Sequence, residues 1–225
     1  MRPAGVCARL FFLDERMKIT ALKVQARNKA RVNVYLDGKL GLALAAIAVA
    51  RLQVGQSLSE ADLARLKQAD AAETVYERAL KFLANRPRSE AEIRLRLTKA
   101  GAPEPLITQT LGRLRQAGLV GDTAFASYWV ENRNTFRPKS RRMLRLELKR
   151  KGVTDSALEG ALSAVNDDEA AYRVALARAR RLQGLPAADY RRRLGEFLAR
   201  RGFGYETISD VVARILREVP PANPD

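Results

Sequence analysis

Near its start the chain alternates apolar and polar residues in short runs that predict β-strands. Ile19–Ala26 and Arg31–Leu36 both have a period of two, and a third strand is expected over Lys39–Leu42. Ser57 is followed three residues later by a glutamate, the spacing of a capping box, which predicts a helix that ends at about Lys67. The pattern therefore predicts a small β-hairpin or meander followed by helices.

Beyond this part, the apolar positions repeat with a period of about 50 residues. Three segments align on a leucine and a glycine: Leu97–Gly101, Leu148–Gly152 and Leu198–Gly202. Three further columns are apolar in every copy: Ile93, Leu144 and Leu194; Ile107, Leu158 and Ile208; and Leu111, Leu162 and Val212. A fixed period of this length is typical of a repeat protein.

Each repeat is expected to contain three helices, with a glycine turn before the last. In the first copy, a helix through Tyr76–Leu83 is followed by a helix that Ser89 caps and Gly101 ends, and Pro103 begins the third. The predicted fold is mainly α: three tandem three-helix, helix-turn-helix-like repeats in an elongated body, preceded by the small sheet and its helices. The expected segments are a disordered extension (1–18), an N-terminal cap (19–74), repeats at 75–121, 122–166 and 167–219, and a disordered tail (220–225).

The composition excludes several classes of enzyme. Among 225 residues there is no histidine, and Cys7 is the only cysteine, so catalytic triads, histidine-containing zinc sites and disulfide frameworks are ruled out. The two common glycine-rich phosphate loops are absent as well. The acidic run Asp167–Glu169 is interpreted as helix capping rather than a metal site. We therefore expect a protein that is not an enzyme and uses no metal, cofactor or small-molecule substrate.

The apolar runs of the chain are short. The longest uncharged one, Leu40–Ala50, is well below the roughly 20 residues that a membrane-spanning helix needs. The first residues lack a signal-peptide pattern, and Met17 is an alternative start. We expect a cytoplasmic protein with no membrane partner.

Basic residues outnumber acidic ones by 41 to 25, a formal charge of +16, and one stretch concentrates the excess. Between Asn132 and Lys151, Glu147 alone opposes nine basic residues: Arg133, Arg137, Lys139, Arg141, Arg142, Arg145, Lys149, Arg150 and Lys151. Several of them share one face of a predicted helix. We expect this stretch to form an anion-facing surface that contacts phosphate groups.

The remaining basic clusters and aromatic residues are interpreted as surface and packing residues rather than as binding sites. The arginine clusters at 178–181, 191–193 and 200–201 are expected to form a solvated basic face, because arginine is mostly exposed in folded proteins. Phe125 and Trp129 lie four residues apart and are expected to pack within the second repeat rather than to stack on bases.

The order of several motifs resembles that of the RecX family, regulators of the bacterial recombinase RecA. The likeness covers about Ile19–Arg217 and lies in Ala79-Leu80-x-Phe82-Leu83, Arg86-x-Arg88-Ser89-Glu90-x-Glu92-Ile93, Gly118-Leu119-x-x-Asp122, Glu147-Leu148-Lys149-x-Lys151-Gly152-Val153 and Leu198-x-Arg200-Arg201-Gly202-Phe203. The resemblance implies three tandem three-helix repeats. It also implies a non-catalytic protein that binds the RecA filament on DNA and inhibits its ATPase, strand-exchange and co-protease activities, and so modulates recombination and the SOS response. The implied partners are the filament and single- and double-stranded DNA, with little sequence preference.

Two other functions are compatible with the same residues. Helix-turn-helix-like units and basic charge also suit a sequence-specific duplex DNA-binding transcriptional regulator, which predicts a large affinity gap between one operator and random DNA. An all-helical adaptor for some other acidic protein is the third possibility.

Overall fold

The computed structural model describes residues 16–222. The chain forms two compact units, one reaching Leu80 and the other beginning at Lys81. The first contains a four-stranded antiparallel sheet of order β3-β2-β1-β4. Its elements are β1 (Met17–Val24), β2 (Arg31–Leu36), β3 (Lys39–Ala45), α1 (Ala46–Val49), β4 (Ser57–Leu58) and α2 (Glu60–Leu83), which continues into the second unit.

The predicted alternation places alternate side chains in the core of the first unit. In β2, the side chains of Val32, Val34 and Leu36 are buried while the residues between them are partly exposed. Strand β1 begins earlier than expected, because Met17 and Lys18 pair with β4. The predicted disordered extension over 1–18 is therefore wrong for these two residues, and residues 1–15 lie outside the described chain.

Helix α2 is longer than the sequence pattern predicted. The expected end at about Lys67 is wrong, since α2 runs without a break from Glu60 to Leu83, a length of 24 residues. Residues 60–83 contain no glycine or proline to end it. Asp70 fixes the middle of α2 against the sheet. Its carboxylate accepts hydrogen bonds from Arg31 of β2 (2.9 Å) and from the backbone N–H of Ala45 at the end of β3 (2.6 Å).

The second unit is helical in its described part. Its further helices are α3 (Glu90–Lys99), α4 (Glu104–Gln116), α5 (Asp122–Phe136), α6 (Arg141–Arg150), α7 (Asp155–Leu162), α8 (Asp167–Ala179), α9 (Ala187–Arg200) and α10 (Tyr205–Glu218). They form three three-helix repeats, the first of which begins within α2. The predicted succession of an antiparallel sheet and three tandem three-helix repeats is confirmed.

The columns that define the period occupy equivalent places in the three repeats. The aligned leucines Leu97, Leu148 and Leu198 are all buried, and so are the apolar residues four positions before them. The glycines that follow have positive φ angles of +77°, +73° and +87° at Gly101, Gly152 and Gly202. Because L side chains rarely adopt this backbone conformation, glycine ends each middle helix.

Neighbouring repeats are joined by the same kind of contact. At the first joint, the buried hydroxyl of Ser89, the N-cap of α3, donates to the carbonyl of Lys151 (2.6 Å). At the second joint, the backbone N–H of Ser140, the N-cap of α6, donates to the carbonyl of Arg201 (3.1 Å). The start of one middle helix therefore meets the glycine turn of the next repeat. A Cβ at Gly202 would lie 2.8 Å from the Ser140 hydroxyl, so the second joint has no space for a side chain there.

The predicted disordered tail is partly ordered. The backbone N–H of Ala222 donates to the carbonyl of Gln183 at 2.7 Å, and residues 223–225 lie outside the described chain. Among residues 16–222, no helix is long and apolar enough to cross a membrane.

Candidate nucleic-acid interface

Most of the basic residues between Asn132 and Lys151 have partners inside the protein. The ion pairs are Arg133–Glu147 (2.9 Å), Lys139–Glu147, Arg145–Glu159, Lys149–Asp155 (3.4 Å) and Lys151–Glu92 (2.6 Å). Arg141 donates to the carbonyl of Val165 at 2.6 Å. Within residues 16–222, no carboxylate lies within ion-pair distance of Arg137, Arg142 or Arg150. The stretch is therefore much less of a bare cationic surface than its sequence indicates.

Glu147 holds the second repeat together at the contact of α5 and α6. Its carboxylate accepts from Arg133 and Lys139 and from the indole N–H of Trp129 (2.9 Å). Burial raises the pKa of Glu147, but these three hydrogen bonds outweigh it and the pKa is lowered. The Trp129 ring also lies 4.3 Å from the Arg133 guanidinium carbon and 4.8 Å from the Lys151 ammonium. Trp129 thus packs within the repeat, as predicted.

Glu92 is a second carboxylate that pairs with two basic side chains, here across the first joint. Its carboxylate accepts from Lys151 of the second repeat (2.6 Å) and from Arg86 of the first (3.0 Å). Burial raises the pKa of Glu92, but the hydrogen bonds and charges of its two partners lower it to about 2. Lys151 therefore joins the two repeats instead of facing solvent.

A solvent-open cavity of about 870 Å³ lies beside the second joint, between the end of α5 and helices α8 and α9. Five arginines line it: Arg137, Arg173, Arg178, Arg181 and Arg201. No acidic residue lines this cavity in the described chain, and none of the five forms an ion pair there. We name it the arginine cavity.

The second joint positions Arg201 in the wall of the arginine cavity. Arg201 follows α9 directly; its carbonyl accepts from Ser140, and its guanidinium donates to the carbonyl of Pro138 at 2.7 Å. Burial lowers the pKa of Arg201, and the nearby positive charge of Arg137 lowers it further. The structure therefore holds like charges together, an arrangement that an anion would stabilise.

Aromatic and amide groups complete the walls of the cavity. The Phe197 ring has the guanidinium carbons of Arg201 and Arg178 at 4.6 and 5.5 Å from its centroid. The Nε of Arg178 is buried and has no hydrogen-bond partner among residues 16–222, and the same is true of the amide oxygen of Asn134. Phe136 lines the rim, where 74% of its surface is exposed. The cavity thus offers positive charge and an aromatic face.

Sequence reasoning named only one of the five arginines, Arg137, as a candidate contact. Arg178, Arg181 and Arg201 belong to clusters that were interpreted as a solvated basic face, and Arg173 was not singled out. The sequence signal was weak, because Arg137 of the second repeat meets the four arginines of the third only through the packing of these repeats. The fold and the cavity define a helical-repeat protein with an arginine-lined cavity at a joint between repeats.

Comparisons with known proteins identify the family. Four family profiles match the chain in order: the "Regulatory protein RecX N-terminal domain" (residues 17–59), then the RecX first (76–114), second (122–162) and third (166–212) three-helix domains. The regulatory protein RecX of Bacillus pumilus is 31% identical over 195 residues, covering 84% of this chain and 74% of the relative. That of Mycobacterium sp. (strain KMS) is 37% identical over 147 residues, covering 62% of this chain and 80% of the relative.

Solved structures agree with the profiles. A crystal structure of regulatory protein RecX superposes with a TM-score of 0.69 at 28% identity, covering 87% of this chain and 98% of the other. RecX from Lactobacillus salivarius shares the fold, with a TM-score of 0.56 at 23% identity over 65% of this chain and 97% of the other. The chain belongs to the RecX family of regulatory proteins.

Proposed function

We propose that the protein is a non-catalytic regulator that binds the RecA filament on DNA in the cytoplasm and inhibits its ATPase, strand-exchange and co-protease activities. One observation supports the proposal most: a RecX-family fold places five arginines without acidic partners around one cavity. Arginine binds phosphate through paired N–H groups, so such a cavity suits the backbone of filament-bound DNA.

Within the predicted stretch at 133–151, the proposal gives different roles to different residues. Arg137 contacts phosphate as part of the arginine cavity. Arg142 and Arg150 are exposed on α6 and add weaker, non-specific attraction. The other six (Arg133, Lys139, Arg141, Arg145, Lys149 and Lys151) are bonded to carboxylates or carbonyls of the protein itself.

Inhibition of this kind requires binding rather than chemistry. A ligand shifts an equilibrium by its preference for one state, so a protein that binds the inactive arrangement of the filament more tightly lowers every activity of the active one. In both joints the start of one middle helix meets the glycine turn of the next repeat, and such a repeated arrangement suits a partner that is itself a repeating polymer.

The test is ATP turnover by RecA assembled on single-stranded DNA, with the protein titrated at constant salt. We expect turnover to fall at well below one molecule per RecA, because one bound molecule affects several filament subunits. No effect up to a stoichiometric excess would contradict the proposal. In that case, a large affinity gap between one duplex sequence and random duplex would favour the transcriptional-regulator alternative.

A further inference from the structure

Phe136 is unusually exposed for a large apolar residue. It is the last residue of α5, directly before Arg137, and 74% of its surface is accessible at the rim of the arginine cavity. Exposed aromatic rings beside arginines are a recurrent feature of proteins that bind single-stranded nucleic acids, because every base has a face that can stack on a ring. Nothing in the described fold requires the ring to be there, since it lies outside the core of the second repeat.

The inner part of the cavity is suited to one phosphate group. The guanidiniums of Arg178 and Arg201 lie against the same ring, that of Phe197, at 5.5 and 4.6 Å from its centroid. This shared platform orients both groups, and the buried Nε of Arg178 has no partner within residues 16–222. An oxyanion bound in the cavity would accept hydrogen bonds from the arginine guanidiniums and offset their positive charge.

The remaining features match a base rather than a bare ion. The volume of about 870 Å³ is within the range of about 300–1,000 Å³ that pockets for small organic groups occupy, far larger than one phosphate needs. The cavity therefore has room for a phosphate and for a base face beside it.

We propose that the arginine cavity holds one nucleotide of a single DNA strand, with its phosphate bound by the cavity arginines, including Arg178 and Arg201, and its base stacked on Phe136. This inference rests on the proposed function, which supplies DNA as the partner. A single strand is favoured over a duplex because a paired base is stacked on both faces and has none to offer the ring. The cavity thus makes this joint selective for strand state while remaining tolerant of sequence.

The test measures binding of fluorescently labelled oligonucleotides to the full chain without RecA. The strands are oligo(dT), a duplex of equal length, and an abasic strand with the same backbone. Phe136→Ala should lower affinity for oligo(dT) by about tenfold, the order expected for one stacked base, and leave duplex and abasic binding unchanged. Phe136→Tyr should retain the affinity, whereas Phe136→Leu, which is apolar but has no ring, should lose it.

Tyr205→Ala is the matched control. Tyr205 is also an exposed aromatic residue, 86% accessible, but it begins α10 and does not line the arginine cavity. We expect oligo(dT) affinity to be unchanged in this variant. Equal binding of oligo(dT) by wild type and Phe136→Ala, or an equal loss on oligo(dT) and on the abasic strand, would overturn the inference. Neither result would bear on the proposed function, which fails only if the wild-type protein leaves RecA turnover unchanged.

Discussion

Glu92→Gln should weaken the first joint, because this substitution removes the charge that pairs with Lys151 and Arg86 and changes little in shape. The ion pairs measure 2.6 and 3.0 Å, and the Glu92 side chain is only 18% exposed. Glutamine can still accept from the backbone N–H of Ser89, which Glu92 now does at 3.4 Å, so the helix cap is preserved. The substitution therefore isolates the charge.

The pKa of Glu92 sets the size of the expected loss in the free energy of unfolding. Its lowering from 4.5 to about 2 corresponds to roughly 3 kcal/mol of stabilisation at neutral pH, at about 1.4 kcal/mol per pKa unit. Lys151 keeps its contact with the Trp129 ring in the variant, which offsets part of the loss. We expect Glu92→Gln to reduce the free energy of unfolding by about 2 kcal/mol at pH 7.

The sign of the pH dependence follows from the direction of the pKa shift. The pKa of Glu92 is lower in the folded than in the unfolded chain, so its contribution is complete above about pH 4.5 and is lost as the pH falls toward about 2. The difference between wild type and variant should therefore shrink by more than half at pH 3.

Urea unfolding followed by the fluorescence of Trp129, the single tryptophan, measures this difference directly at the second repeat. Asp189→Asn is the control, since the Asp189–Arg192 pair lies within α9 on an exposed surface and should leave the midpoint unchanged. A difference at pH 7 below about 0.5 kcal/mol, or one that is the same at pH 3, would refute the assigned role of Glu92.

Three further outcomes follow from the structure. Gly202→Ala combines a φ of +87° with a contact to the Ser140 hydroxyl, and should lower the free energy of unfolding by about 2–3 kcal/mol in urea titrations. Gly118→Ala, where φ is +66° and the space is open, should lower it by only about 1 kcal/mol. Equal losses in the two variants would contradict the packing at the second joint. Tyr190→Phe removes a 2.7 Å hydrogen bond from a buried hydroxyl to the carbonyl just beyond α10, and a melt should show a loss of about 1 kcal/mol; an unchanged melting temperature would count against that bond. Arg178→Gln should reduce the slope of log affinity for oligo(dT) against log salt by about 0.7, and an unchanged slope would mean that Arg178 contacts no phosphate.

The repeats were predictable from the sequence because their signals are local. The leucine and glycine columns have the same spacing in each copy, and each marks a buried helix position or a left-handed turn that few other residues can occupy. The alternation of Val32, Val34 and Leu36 likewise identified a strand with one buried face.

The features that escaped prediction depend on distant contacts. The two-residue strand β4 exists only because it pairs with Met17 and Lys18, some forty residues earlier. Charge along the sequence was a poor guide for the same reason. Glu92 neutralises Lys151 across a joint, while Arg137 meets Arg173 and Arg201 only after the second and third repeats pack together. A count of charges within one helix contains none of these pairings.

The most direct test of the central claim compares two variants of equal charge in the RecA turnover assay. R137Q/R173Q/R181Q removes three exposed arginines of the arginine cavity, and R142Q/K149Q/R150Q removes three cations of α6 outside it. We predict that the cavity variant needs about tenfold more protein for half-inhibition at fixed salt, while the α6 variant stays within about twofold of wild type. An unchanged cavity variant, or a larger loss from the α6 variant, would contradict the account.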